Sequence, residues 1–503
     1  MKKILPFIFI LLLVTAVFLY FGHAKAGYFI DEVYTYGLAN SHFAPYLIDV
    51  AGGDFDDRLI TNEELVSYTT VDSGEALDFA SVYYNQEADV HPPLYYWLFN
   101  TASSLAGNRF SKWTGLALDY VIFLGTLAML GIICHELFHN KFTVMAALLL
   151  YGLSKAAVST AVYIRMYGLL TFLTLVLVFF VLRLLRTGKG KYAVLSGLTI
   201  CAGMMTQYYF VFYACFISIA AGLYLFVKKK NKTAFGFLAC ALLGVLLMIL
   251  IFPASLKHIF VGNGQVVSGG MALANLLDVS SWPHRLSTYL HFVTNGLKAS
   301  VIVGAIAFVF LLATRRLEFD GEIAVIVLPA LVAWLFIALV AAVLEERYIY
   351  NIMPVFVIFV AWLLNHLHIY YAPLAVIAAL CLQFTGCNID YIQPQALEST
   401  AALSPYKACP VVYLTDNKFA SMTADYYELL QFDDFFAATD AASPALVEYI
   451  GDADATVLFI DTNAEWSSGL DPAAEIAKLS AAAGYDSSEQ ILSNSLSQVY
   501  VLR

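Results

Sequence analysis

The chain has 503 residues, of which 60% are AVILMFWYC, 15% aromatic and only 13% Asp, Glu, Lys or Arg; mean hydropathy is +0.74, whereas about a quarter of a soluble globular chain is charged. The net charge of −11 is unevenly spread: residues 28 to 91 carry thirteen acids and one base, residues 388 to 503 carry seventeen acids and four bases, and the rest sums to +14. These figures exclude a soluble enzyme, a disordered tail and a nucleic-acid binder, and describe a multi-pass membrane protein with two acidic solvent-exposed parts.

A bilayer core about 30 Å thick takes roughly 20 apolar residues per helix, and Lys/Arg-rich loops stay in the cytoplasm. The first apolar run, 4 to 22, follows Lys2 and Lys3. The AKA at 24 to 26 imitates a signal-peptidase site, but the run is long for a signal segment and reads as an uncleaved anchor with its N-terminus inside. The acidic loop 23 to 113 is then outside. Within it, LYYWLFNTASSLA at 94 to 106 would place RLLRTGKGK outside if it crossed, so it is expected as a short helix at, or dipping into, the outer surface. The remaining spans fall at about 114 to 134, 142 to 162, 167 to 185, 192 to 206, 208 to 227, 233 to 252, 296 to 314, 322 to 343, 350 to 367 and 372 to 387. This gives about eleven transmembrane helices. Arg183, Arg186, Lys189 and Lys191, then Lys228, Lys229, Lys230 and Lys232, then Arg315 and Arg316, all become cytoplasmic.

The expected organisation is a membrane domain over 1 to 387, carrying the large first outer loop, and an extracytoplasmic domain over 388 to 503. In the latter, VVYLT, TVLFID and QVYVLR alternate with helix-like SPALVEYIGD and PAAEIAKLSAAAGY, the pattern of a small α/β domain. Most of the seven cysteines lie in spans. Cys387 and Cys409 both fall outside, which permits a disulfide, and no zinc-type spacing exists.

Three polar constellations reach the same outer face. Asp31 and Glu32 follow the first span in GYFIDEVYTYGLAN, where a partly desolvated carboxylate can act as general base on an alcohol, or can simply be an interfacial acid. In DVHPPLYYW, two prolines fix a helix entry and present His91 beside a helix N-terminus that favours an anion. Arg165 in AVYIRMYGLL and Arg347 in LEERYIYNIMP are membrane-level charges that need partners. In one reading Glu345 or Glu346 pairs with Arg347 and Arg165 snorkels to the headgroups; in the other both arginines converge on a phosphate. Lys155 is a further buried-charge candidate. With no nucleotide-binding loop, dinucleotide fingerprint, metal set or nucleophile elbow in the chain, group transfer would draw on an activated, lipid-carried donor.

Taken in order, DE after the first span, DVHPPLYYWL, IRMY and ERYIYNIMPVF resemble the bacterial membrane glycosyltransferases of the C fold. Similar families are the protein O-mannosyltransferase (family 39) type, the lipid A aminoarabinose transferase, and bacterial proteins similar to dolichyl-phosphate-mannose-protein mannosyltransferases. The resemblance covers about residues 1 to 370. It implies an enzyme of the bacterial plasma membrane that moves a sugar, with inversion, from a polyprenyl-phosphate carrier to an acceptor hydroxyl on a glycan, lipid or protein. By the same resemblance, Asp31 is the catalytic base and Glu32 its acidic neighbour, while His91, Arg165, Tyr167, Arg347 and Tyr348 hold the donor phosphate. No cofactor is expected, and the partners are the lipid-linked donor, the acceptor and membrane lipids. The chain departs from the family pattern at DEVYTYG, which lacks an arginine shortly after the aspartate, and at Gln207 in MTQYYF, where many relatives have histidine. Two rival readings are a transporter or flippase, which calls for repeats with interrupted helices that the sequence does not display, and a non-catalytic subunit that binds lipid-linked sugars.

Overall fold

In the computed structural model, seven helices are long and apolar enough to cross a membrane: Leu5–Ala24, Lys112–Phe138, Tyr167–Thr187, Phe210–Val227, Asn231–Ile251, Gly321–Val340 and Glu346–Asn365. Two more spans arise if bent pairs are counted, Lys141–Gly152 with Lys155–Val162 (57°) and Trp282–Gly296 with Lys298–Ala313 (96°). The chain is a multi-pass membrane protein. The structure describes all residues except 1–4, 73, 108, 262–268, 319, 368–375, 377–379, 381–387, 417–418, 464–468 and 495. The expected span at 372 to 387 falls, apart from Val376 and Leu380, outside the described residues, as does Cys387 of the disulfide that the sequence permits with Cys409.

Two differences from the expected spans have local causes. The helix Gly190–Met204, in place of 192 to 206, has 15 residues and is only about 22 Å long at 1.5 Å per residue. The expected continuous spans 142 to 162 and 296 to 314 belong to the two bent pairs. At the first break, Ser154 Oγ accepts from the Ala157 N–H at 3.1 Å and so starts a new helix rather than continuing the old one. Helix Leu94–Ala106 has 13 residues, about 20 Å, too short to cross.

The chain divides into two compact units. The first comprises Met1–Gly22, Val90–Tyr95 and Leu116–Asp390, the second His23–Asp89, Tyr96–Gly115 and Tyr391–Arg503. In the first unit, helices alternate between a basic end and an opposite end. At the basic end, Arg183 Nη1 donates to Glu136 Oε1 at 2.9 Å, Arg186 Nη2 to Glu322 Oε2 at 2.7 Å, and Lys230 Nζ to the Leu185 carbonyl at 3.2 Å. The helices leading away from these contacts carry the turns at 163–166, 205–209 and 341–345 to the other end. Helices Gly190–Met204 and Asn231–Ile251 meet backbone to backbone at Gly197 and Gly244, where an added Cβ would strike the Cys240 and Gly197 carbonyls respectively.

The second unit is built on a six-stranded sheet ordered β1-β3-β2-β4-β6-β5, with β1 Arg58–Thr61, β2 Val411–Leu414, β3 Asp434–Ala438, β4 Thr456–Asp461, β5 Ser488–Ser493 and β6 Ser497–Leu502. The β3–β2–β4 core is parallel and the other pairings are antiparallel. β2 and β4 are buried along their whole length, which is why VVYL and TVLFID read as unbroken apolar runs. One face of the sheet packs Val412, Leu414, Leu458 and Ile460 against Leu446, Ile450 and Leu479. The other packs Tyr413, Phe435 and Phe459 against Leu47, Phe55, Leu65 and Tyr68. The first loop thus supplies both an edge strand and a layer of the core, where the sequence suggested a domain formed by the tail alone.

Candidate functional site

Asp31 and Glu32 open the helix Ile30–Asn40 of the second unit. Glu32 is fully buried; its Oε2 accepts from Lys25 Nζ at 2.8 Å and from the Phe29 N–H at 2.8 Å. One carboxylate oxygen therefore caps the first turn and neutralises a buried cation. At the far end of the helix, orphaned carbonyls receive amide donors: Asn85 Nδ2 reaches the Ser41 carbonyl at 2.9 Å and Asn100 Nδ2 the Ala39 carbonyl at 2.9 Å. Tyr36 donates to the Ser111 carbonyl at 2.7 Å. Both ends and one face are thus fixed, leaving half-buried Asp31 on a rigid support. Nearby rings make the setting aromatic: Tyr28 stacks on Phe110 at 4.5 Å, and Phe29 meets Tyr391 edge-on at 5.6 Å. Burial pushes the Tyr34 hydroxyl above the usual tyrosine range.

The five expected phosphate ligands lie in the first unit, and the structure links them. Leu94 N–H donates to the Met205 carbonyl at 3.0 Å, which pins the turn that Pro92 and Pro93 begin. His91 Nδ1 lies 3.5 Å from Arg165 Nη2; a guanidinium only donates, so Nδ1 is the acceptor. Arg165 occupies the short break between helices Lys155–Val162 and Tyr167–Thr187 and is 4% exposed, packed in protein rather than snorkelling along its surface. Tyr163 and Tyr167 stack at 5.8 Å and 10°. Arg347 Nη1 donates to Tyr163 Oη at 3.1 Å, its guanidinium lies 5.7 Å from the Tyr348 ring centroid, and Tyr348 stacks on Tyr209 at 4.7 Å. Two guanidiniums, an imidazole and tyrosine hydroxyls on neighbouring turns are groups suited to phosphate oxygens.

Of the two glutamates expected beside Arg347, Glu346 turns to Lys155, with Oε2 3.3 Å from Nζ. Gln207 is buried in the turn before helix Phe210–Val227. Next to it, Tyr208 Oη lies 3.0 Å from Nδ1 of buried His258. The sequence reading also missed Tyr163 and Tyr209, and the hydrogen bond at 3.0 Å from Tyr95 to the buried carboxylate of Asp119. Tyr163 had only its closeness to Arg165, two residues on, as a signal, because the break at 163–166 removes any helical periodicity between it and Tyr167. Asp119 had only its position in an apolar run. Among the described residues, no group of three or more His, Cys, Asp or Glu side chains is placed to hold a metal ion.

No family model matches the sequence, and no curated protein does. Among solved structures, the chain is similar to ArnT from Cupriavidus metallidurans bound to undecaprenyl phosphate, with a TM-score of 0.50 at 11% identity, over 98% of this chain and 97% of that one. It is likewise similar to ArnT from Cupriavidus metallidurans in the apo state, with a TM-score of 0.52 at 11% identity and the same coverage. The fold is that of the C-type membrane glycosyltransferases. That agrees with the resemblance carried by DE, HPP, IRMY and ERYIYN, and it extends through the tail, which the motifs did not reach. The small sheet unit is part of this fold match rather than an unrelated appendage.

Proposed function

We propose that this protein is an inverting glycosyltransferase that moves a sugar from a polyprenyl-phosphate carrier to an acceptor hydroxyl at the outer face of a bacterial plasma membrane. The observation that carries the reading is the pairing of His91 with Arg165 beside the contacts of Arg347 with Tyr348 and with Tyr163, which stacks on Tyr167, within a fold shared with an ArnT that has been solved with undecaprenyl phosphate. Asp31 takes the proton of the acceptor hydroxyl as that oxygen bonds to the anomeric carbon. The carbon–oxygen bond to phosphate breaks with its electron pair staying on the phosphate, and Arg165, Arg347 and His91 stabilise the charge that grows there. Glu32 is a positioning residue, because its Oε2 holds Lys25 and caps the first turn of the helix.

The two bent helix pairs, one in each half of the chain, are a feature the transporter reading calls for, so the test must separate transfer from translocation. The full chain in vesicles is supplied with undecaprenyl-phosphate-linked sugars, and products are followed by mass spectrometry. The expected result is release of undecaprenyl phosphate with glycosylated acceptor, abolished by Asp31→Asn with expression unchanged. Movement of intact donor between leaflets without cleavage would replace this reading with the transporter one, and full turnover by Asp31→Asn would overturn the base assignment.

A further inference from the structure

Lys155 is the first residue of the helix that follows the Ser154 break, where a cation opposes the helix dipole, and it is 7% exposed. Its Nζ lies 3.3 Å from Glu346 Oε2 and 3.0 Å from Asp390 Oδ2. Asp390 is held in turn, its N–H donating to Ser159 Oγ at 3.1 Å. Glu346 Oε1 faces the other break: a Cβ added at Gly296, the last residue before the 96° bend, would sit 2.8 Å from it. Glu346 also begins the 3-10 turn Glu346–Ile352 that carries Arg347 and Tyr348. The ionic node therefore joins both helix breaks to that turn, while Tyr163, just beyond the helix that starts at Lys155, receives Arg347.

We propose that Lys155, through Glu346 and Asp390, is a positioning residue for the donor phosphate: it locks the turn Glu346–Ile352 against helix Lys155–Val162 and so sets the direction of Arg347. This rests on the functional reading above, in which Arg347 binds the phosphate. An ion pair buried at this depth costs much of what it returns, and removing one partner strands the other. A buried, dipole-opposed lysine is thus a poor device for stability alone, but it fixes geometry, since it satisfies two carboxylates from separate segments at once.

Glu346→Gln is the informative variant because Lys155 keeps Asp390 as its counter-ion and the fold is spared a stranded charge. Undecaprenyl phosphate binding to the full chain in nanodiscs is measured for the wild type, Glu346→Gln, Lys155→Met, Lys155→Arg, Arg347→Ala and the double variant Glu346→Gln/Arg347→Ala, alongside KM and kcat for transfer. Binding is expected to weaken roughly tenfold in Glu346→Gln and Lys155→Met, with the loss mainly in KM, and to recover in Lys155→Arg. In the double variant it should be no weaker than in Arg347→Ala alone. Wild-type binding by Glu346→Gln, or losses that multiply in the double variant, would overturn the positioning role while leaving transfer by the wild type intact. A wild type that neither binds the lipid nor transfers sugar would overturn the functional reading and this inference with it.

Discussion

Arg347 Nη1 donates to the Tyr163 hydroxyl at 3.1 Å across 184 residues of chain, so two motifs that look independent in the sequence share one contact. Tyr163 stacks on Tyr167 and stands two residues before Arg165. It therefore belongs to the arginine–tyrosine element by contact as well as by sequence.

That contact gives the first prediction. Tyr163→Phe keeps the ring that stacks on Tyr167 and removes the hydroxyl that accepts from Arg347, a hydrogen bond to a charged group worth about 1.5 to 3 kcal/mol. Donor KM should rise by roughly ten- to a hundredfold with little change in thermal stability. Steady-state kinetics on detergent-solubilised protein checks it. An unchanged KM would mean that Arg347 is held without Tyr163.

Much of this arrangement was readable in advance, for identifiable reasons. The apolar runs and the lysine and arginine clusters gave the helices and their two ends, and Pro92–Pro93 gave the helix that begins at Leu94. Ser154, a favoured N-cap residue, was a break signal hidden in an otherwise apolar stretch. The partners of Lys155 were not readable, since Glu346 lies 191 residues away and no local pattern records such a pairing. Nor was β1, because RLIT is four residues long, sits among acids, and becomes a strand only by pairing with Asp434–Ala438. In the sequence only the family resemblance separates Asp31 from Glu32; the pairing of Glu32 with Lys25, seven residues upstream, is a difference that no local pattern records.

That difference is itself testable. Glu32→Gln leaves Lys25 charged and buried with its carboxylate gone, a loss of about 3 to 5 kcal/mol, and should lower the melting temperature by several degrees or more. Asp31→Asn, on a half-buried side chain, should leave the melting temperature close to that of the wild type while abolishing transfer. Pairing Glu32→Gln with Lys25→Met should restore much of the stability. Differential scanning fluorimetry and the transfer assay on the same preparations separate the two residues, and equal stability losses from Asp31→Asn and Glu32→Gln would refute the division of labour.

Asp425 is expected to make the stability of the second unit depend on pH. Burial pushes its carboxyl up to about 6, against hydrogen bonds from Ser497, Asn494 and Tyr413 that lower it, whereas an unfolded aspartate titrates at about 3.9. Between those values the folded state holds a proton that the unfolded state has released. This group's contribution therefore falls as pH rises from about 4 to about 6, and above 6 the full penalty, roughly 3 kcal/mol, is present. Asp425→Asn cannot ionise and should melt at a higher temperature than the wild type at pH 7, with the gap closing toward pH 4. A difference that does not change with pH would show that folding does not shift the titration of Asp425.

Gly37 tests how tightly the support of Asp31 is built. It lies in helix Ile30–Asn40 where an added Cβ would fall within the ring of Tyr68. That ring cannot easily yield: Tyr68 is fully buried, packs in the core between the first loop and the sheet, and donates to the Pro45 carbonyl at 3.1 Å. Gly37→Ala would ordinarily favour a helix by about 1 kcal/mol, but overpacking a rigid core costs about 1 to 3 kcal/mol, and a direct collision with a fixed aromatic ring belongs at the upper end. The net expectation is destabilisation by about 2 kcal/mol with a fall in kcat, because the helix bearing Asp31 must shift to make room. Tyr68→Leu should relieve the collision, so Gly37→Ala/Tyr68→Leu is expected to regain stability relative to the sum of the single changes, as residues in direct contact do. Strictly additive losses in melting temperature would show that the two side chains do not meet, and that the helix carrying Asp31 is placed by its capped ends alone.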